Sequence, residues 1–167
     1  MTSVQMPWVC CNGPRVDRRR PPDDWSPAVI YLPFIAAGIL ATLATLHLIY
    51  TIHDFMFEPR YFSPRDKSLL APMRATRNAL TPTGRDYWSA LLGFHMSHSL
   101  GVMMFALLIV LASLHQIDWL KLLLVCLGGV FTWIAWRCWF HIPFYGCAAA
   151  TLLMIAGWTL RLGKTPK

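Results

Sequence analysis

Charge is what this chain has least of. Only 14% of its 167 residues are Asp, Glu, Lys or Arg, against about 25% in an ordinary soluble domain. The shortage is uneven. Residues 88–114 hold no charged side chain at all, and the other gaps are also long apolar runs, which is the pattern of membrane spans. CxxC pairs are absent, and Cys10, Cys11, Cys126, Cys138 and Cys147 make no even framework. That excludes a zinc ribbon or a disulfide scaffold and leaves the thiols as small apolar packing groups. There is no HExxH, so no zinc pair arrives with its own base. The spans contain no Asp or Glu and the chain has no internal repeat. A small proton-coupled transporter, the third functional reading, is therefore weak unless copies of the chain associate.

What is present is length and apolarity. About 20 apolar residues cross a bilayer core, and four stretches qualify. The spacing predicts an all-α, four-transmembrane-helix bundle with a long first loop. Its spans run at about 27–53, 87–114, 119–138 and 142–161, within a membrane domain of residues 26–162. Residues 1–25 read as a disordered basic tail, with Arg18, Arg19, Arg20, Pro21 and Pro22 in a row, and not as a cleaved signal peptide; residues 163–167 form a short tail. Ser26 and Pro27 are a helix-start pair. Pro33 removes one internal hydrogen bond from the first span. Residues 119–160, 42 in all with only Lys121 and Arg137 charged, leave space only for a tight turn near Arg137 to His141, with Pro143 opening the fourth span. Trp133, Trp136, Trp139 and Tyr145 gather at that turn as an aromatic belt does. Residues 54–86 form the long loop, in which residues 68–79 are a candidate surface helix or a plain solvated segment. Gly93, Ser97 and Gly101 recur every four residues, a row that admits another helix at close range.

The net charge of +7 lies beside the apolar runs and not within them. That placement suits anionic lipid headgroups and excludes a nucleic-acid role. Basic residues divide almost evenly between the two sides, so orientation rests on the Arg18–Arg20 cluster directly before the first span. It places both termini in the cytoplasm of a multi-pass inner-membrane protein.

Ionisable groups at membrane depth carry the functional leads. His95 and His98 stand three residues apart in GFHMSHSLG and project toward one side of their helix, and His47 lies in the last turns of the first span. Imidazoles suit zinc, copper and iron, and a b-type haem takes two axial histidines, most naturally His47 with His98. The alternative is that each histidine hydrogen-bonds a serine or a backbone carbonyl across a helix interface. Ser97 and Ser99 lie beside the histidines, but neither a third orienting group nor an oxyanion hole can be read for a hydrolase. Arg137, flanked by Trp136 and Trp139, is placed to hold an anionic headgroup or simply to anchor a helix end.

Four segments in order, LHLIYT at 46–51, PRDKSLLAPM at 64–73, GFHMSHSLG at 93–101 and RCWFHIPFYG at 137–146, resemble a family of uncharacterised bacterial four-span integral membrane proteins first named from a Leptospira open reading frame. The resemblance covers about residues 40–158, and GF-x-x-SHSLG is its most specific part. It implies the fold and the membrane location and no reaction. In that pattern an Asn usually stands where His95 stands here, while His47, Ser97, His98 and Arg137 match it. These four are the candidate ligand-binding residues. The expected function is to bind a lipid or other small apolar ligand, or to serve as an accessory membrane subunit, with membrane lipids and a homo-oligomer or larger complex as partners and no cofactor. The competing expectation is a redox protein holding haem b or a transition metal on His47 and His98. No motif names a reaction, so whether the chain is an enzyme is left open.

Overall fold

The computed structural model describes residues 27–77 and 84–162. The expected tails at 1–25 and 163–167 lie outside them. The described residues form five α-helices: α1 (Pro27–Met56), α2 (Leu70–Ala75), α3 (Tyr87–Leu114), α4 (Asp118–Cys138) and α5 (His141–Leu162). A 3-10 turn at Lys67–Leu69 leads into α2. The four long helices form an all-α bundle, and each is long and apolar enough to cross a membrane. At most a third of each span's most apolar window is buried within the chain, and Leu107, Leu122, Trp133 and Leu152 face outward. A bundle that shows such faces is suited to lipid and not to water. The chain is a multi-pass membrane protein.

Local signals set the helix ends. Pro27 occupies the first position of α1, where its missing N–H costs nothing, and Pro59 follows soon after the helix stops. Asp86 caps α3, accepting from the Ser89 backbone N–H at 2.9 Å and the Ser89 hydroxyl at 2.7 Å. These bonds hold the Asp86 carboxyl below its ordinary value. At the far end of α3, Gln116 takes φ of 52°, the left-handed conformation that often ends a helix. There the Ile117 N–H reaches back to the Ala112 carbonyl at 3.2 Å. The turn between α4 and α5 is only Trp139 and Phe140, as tight as the apolar run of 42 residues required. Of the candidate surface helix at 68–79, the turn at Lys67–Leu69 and α2 cover the first part, Thr76 turns to extended backbone, and residues 78–79 lie outside the described residues.

α1 packs most extensively against α3 and α5, while α4 rests mainly on α5 and touches α3 less. The core joins Ala36, Ala37 and Leu40 of α1, Phe105, Ala106 and Ile109 of α3, Leu124 of α4, and Cys147, Ala150 and Met154 of α5. In lipid such a core is held by close packing more than by burial of apolar surface. Small residues decide where the helices meet. A Cβ on Gly157 would stand 2.7 Å from the Pro33 ring, and one on Gly128 would stand 2.7 Å from the Thr151 hydroxyl. The row expected to admit a neighbour behaves differently. Gly93, Ser97 and Gly101 are all exposed, and a Cβ on either glycine meets nothing within 4 Å. Leu92 and Ser99, on the opposite side of α3, are buried instead, so this stretch of the row is turned outward.

Candidate functional site

The antiparallel packing of α1 on α3 brings His47 against His95. His47 Nε2 and His95 Nδ1 are 3.1 Å apart, a hydrogen bond in which one ring donates and the other accepts. The ring of His98, one helical turn further along α3, lies 6.1 Å from that of His47 and nearly perpendicular to it. The three histidines therefore form one cluster drawn from two spans. Two hydroxyls beside the cluster are used within their own helices: Thr51 donates to the His47 carbonyl at 2.8 Å and Ser99 to the His95 carbonyl at 2.9 Å.

The cluster opens into a cavity of about 500 Å³ between the four spans. Leu40, Leu43 and Ala44 of α1, Val102 and Phe105 of α3, Phe131 of α4 and Cys147 and Thr151 of α5 form its walls. Trp139, at the α4–α5 turn, sets its ring 4.9 Å from His98 in an edge contact, and Phe94 is stacked above the same histidine at 6.1 Å. Among the described residues, no Asp, Glu, Lys or Arg lines this space.

A strap from the long loop closes one side. Asp54, in the last turn of α1, is 2% exposed. Its Oδ1 accepts from the Arg60 N–H at 2.9 Å and the Tyr61 N–H at 3.1 Å, and its Oδ2 from the Tyr61 N–H at 2.9 Å and the Phe62 N–H at 2.6 Å. Clamped in this way, the strap stacks Tyr61 on Tyr50 at 4.4 Å and lays Phe62 flat against His95 at 4.5 Å. Lys67 fastens the strap again by donating to the Pro59 carbonyl at 3.2 Å. An antiparallel bridge between Arg77 and Asp86 ties the end of the loop to the start of α3.

Of the residues singled out from sequence, His47 and His98 come together at the cavity, with His95 beside them. Ser97 does not join them: it is exposed, and its hydroxyl turns back to the Phe94 carbonyl at 2.9 Å. Arg137 is exposed beside Trp136, 5.9 Å from the ring centre, and does not line the cavity. Neither the Ser97 nor the Ser99 side chain pairs with an imidazole; His47 and His95 pair with each other instead. Among the described residues, no three His, Cys, Asp or Glu side chains converge as a set able to hold a metal ion.

Sequence reasoning missed Asp54, Phe62 and Trp139. Asp54 could have been found. A carboxylate in the last turn of an apolar helix faces the negative end of the helix dipole, so it needs N–H donors from elsewhere, and the following loop is the nearest supply. Trp139 read as a belt residue because its contact with His98 depends on how tightly α4 turns into α5. No family model, curated protein or solved structure matches the chain.

Proposed function

We propose that this membrane protein holds a small, uncharged apolar molecule in the cavity between its four spans, either for itself or as the binding subunit of a larger membrane complex. One observation carries this reading: a space of about 500 Å³ with apolar walls converges on three imidazoles and, among the described residues, on no charged side chain. Ligand sites are commonly spaces of about 300–1,000 Å³ with apolar walls and a few polar groups that fix orientation. The absence of Lys and Arg from the walls argues against an anionic headgroup inside, because a buried phosphate needs a cationic partner. Arg137 then belongs to the surface and not to the ligand. The likeness to the Leptospira-named family, the inner-membrane location and cytoplasmic termini belong to the same proposal, the last resting on Arg18–Arg20.

Extraction of the detergent-purified protein, with mass spectrometry of what co-purifies, tests it. A stoichiometric apolar compound that is lost in Ala44→Phe, which fills the cavity from α1, is the expected result. Absorption spectra and metal analysis of the same sample supply the opposing outcome. A haem band or about one equivalent of metal, abolished in His98→Ala, would replace this reading with the haem or metal one. In that case His47 would have to give up its bond to His95.

A further inference from the structure

The cavity treats its three histidines unequally, and the inequality identifies a ligand class. His47 and His95 satisfy one another. His98 has ring neighbours on several sides, namely Phe94, Phe131 and Trp139, yet neither of its nitrogens has a hydrogen-bond partner among the described residues. It is half-buried and stands at the depth of the spans, where an unmet polar group is costly. An uncharged imidazole offers one N–H donor and one lone pair. What it lacks is a polar atom able to accept, to donate, or both, and in an uncharged apolar guest an oxygen is the simplest such atom.

The walls narrow the choice further. Aromatic side chains surround the histidines: Tyr61, Phe62, Phe94, Phe131 and Trp139. Flat side chains in stacked and edge-on arrangements favour a flat guest, since ring pairs attract beyond the area they bury. Away from the rings the cavity continues between Leu40, Leu43 and Val102, walls that suit an aliphatic chain. We infer that the cavity takes an amphiphile of the quinone or quinol class, a planar oxygen-bearing ring on an aliphatic tail, with the ring oxygen hydrogen-bonded to His98. This rests on the cavity reading above and adds the identity of the head and its anchor.

The test uses the full chain in detergent and three probes: a benzoquinone with a decyl tail, decylbenzene and decanol. The readout is the probe concentration giving half of the maximal thermal stabilisation. The expected result is that the quinone binds more tightly than decylbenzene. His98→Leu should then weaken the quinone about tenfold, as the loss of one hydrogen bond does, and leave decylbenzene unchanged. His98→Gln, which keeps a donor and an acceptor, should restore most of the quinone affinity, a recovery that a merely structural role for His98 would not give. Equal binding of quinone and decylbenzene, both indifferent to His98→Leu, would overturn the assignment of the head while leaving the cavity reading intact. Decanol binding more tightly than the quinone and depending on His98 would overturn the ring and put an aliphatic alcohol in its place. No stabilisation by any of the three probes would overturn both readings together.

Discussion

Replacing Asp54 by Asn should unfasten the strap, although the two side chains have nearly the same shape. Both carboxylate oxygens are occupied, Oδ1 by the Arg60 and Tyr61 amides and Oδ2 by the Tyr61 and Phe62 amides. An Asn side chain offers an acceptor on one side only and turns an NH2 toward N–H donors on the other. At least one amide then loses its acceptor, and the remainder lose the assistance of charge. A hydrogen bond to a charged group contributes about 1.5–3 kcal/mol, so the strap should lose about 2–4 kcal/mol. That corresponds to about 30- to 1,000-fold easier opening. The loss is local, because residues 57–62 can lift away without separating the spans, so the midpoint of global unfolding should move far less. The His53 contact with Asp54 at 3.3 Å adds little, since His53 is partly exposed. Hydrogen exchange at the Arg60, Tyr61 and Phe62 amides is the direct assay. Exchange within about threefold of the unaltered protein, in a variant that remains folded, would refute the assigned role of Asp54. A freed strap should also withdraw Phe62 from His95 and weaken retention of any cavity ligand.

Gly157→Ala should lower thermal stability in detergent by about 1–3 kcal/mol, because its Cβ meets the rigid Pro33 ring. Gly101→Ala should be neutral or raise stability by up to about 1 kcal/mol, since the site is open and Ala suits a helix better. Ser113→Ala should cost about 1–3 kcal/mol in the same assay. It leaves the buried Trp158 indole N–H, now 3.3 Å from the Ser113 hydroxyl, without an acceptor. Asp86 predicts a pH effect. Its folded value is depressed, so its stabilising share is present above the ordinary carboxylate value of 3.8 and is lost as pH falls through the lower folded value. Protection of the first amides of α3, taken relative to the intrinsic exchange rate at each pH, should therefore fall below about pH 4, and Asp86→Asn should remove that acid dependence.

Much of the architecture was written locally. The charge-free run at 88–114, Pro27 at a helix start, Asp86 three residues before Ser89, and a final stretch of 42 residues with only two charges and no room for a loop each carry their meaning within a few turns of chain. The candidate site was legible in part. His47, His95 and His98 stood out because imidazoles are rare at membrane depth. Ser97 stood out as a neighbour of the histidines and Arg137 as a cation flanked by tryptophans at a helix end, yet neither lines the cavity. Gly93 and Gly101 looked like a packing face and point outward, whereas Gly157, which carried no such pattern, meets Pro33.

The division follows from the solvent. Whether a segment enters lipid is a sum over its own residues, so the sequence by itself determined four spans, their approximate limits and the tight final hairpin. Which side of each span faces inward is a different question. A helix that is apolar all round carries no amphipathic stripe to answer it, and lipid is as apolar as the core, so the choice falls to shape. Only the tertiary structure could therefore decide that α3 turns His95 toward His47 and Ser97 away. It also decided that Asp54 gathers the amides of the next loop, and that His98 faces a cavity with its nitrogens unmet among the described residues.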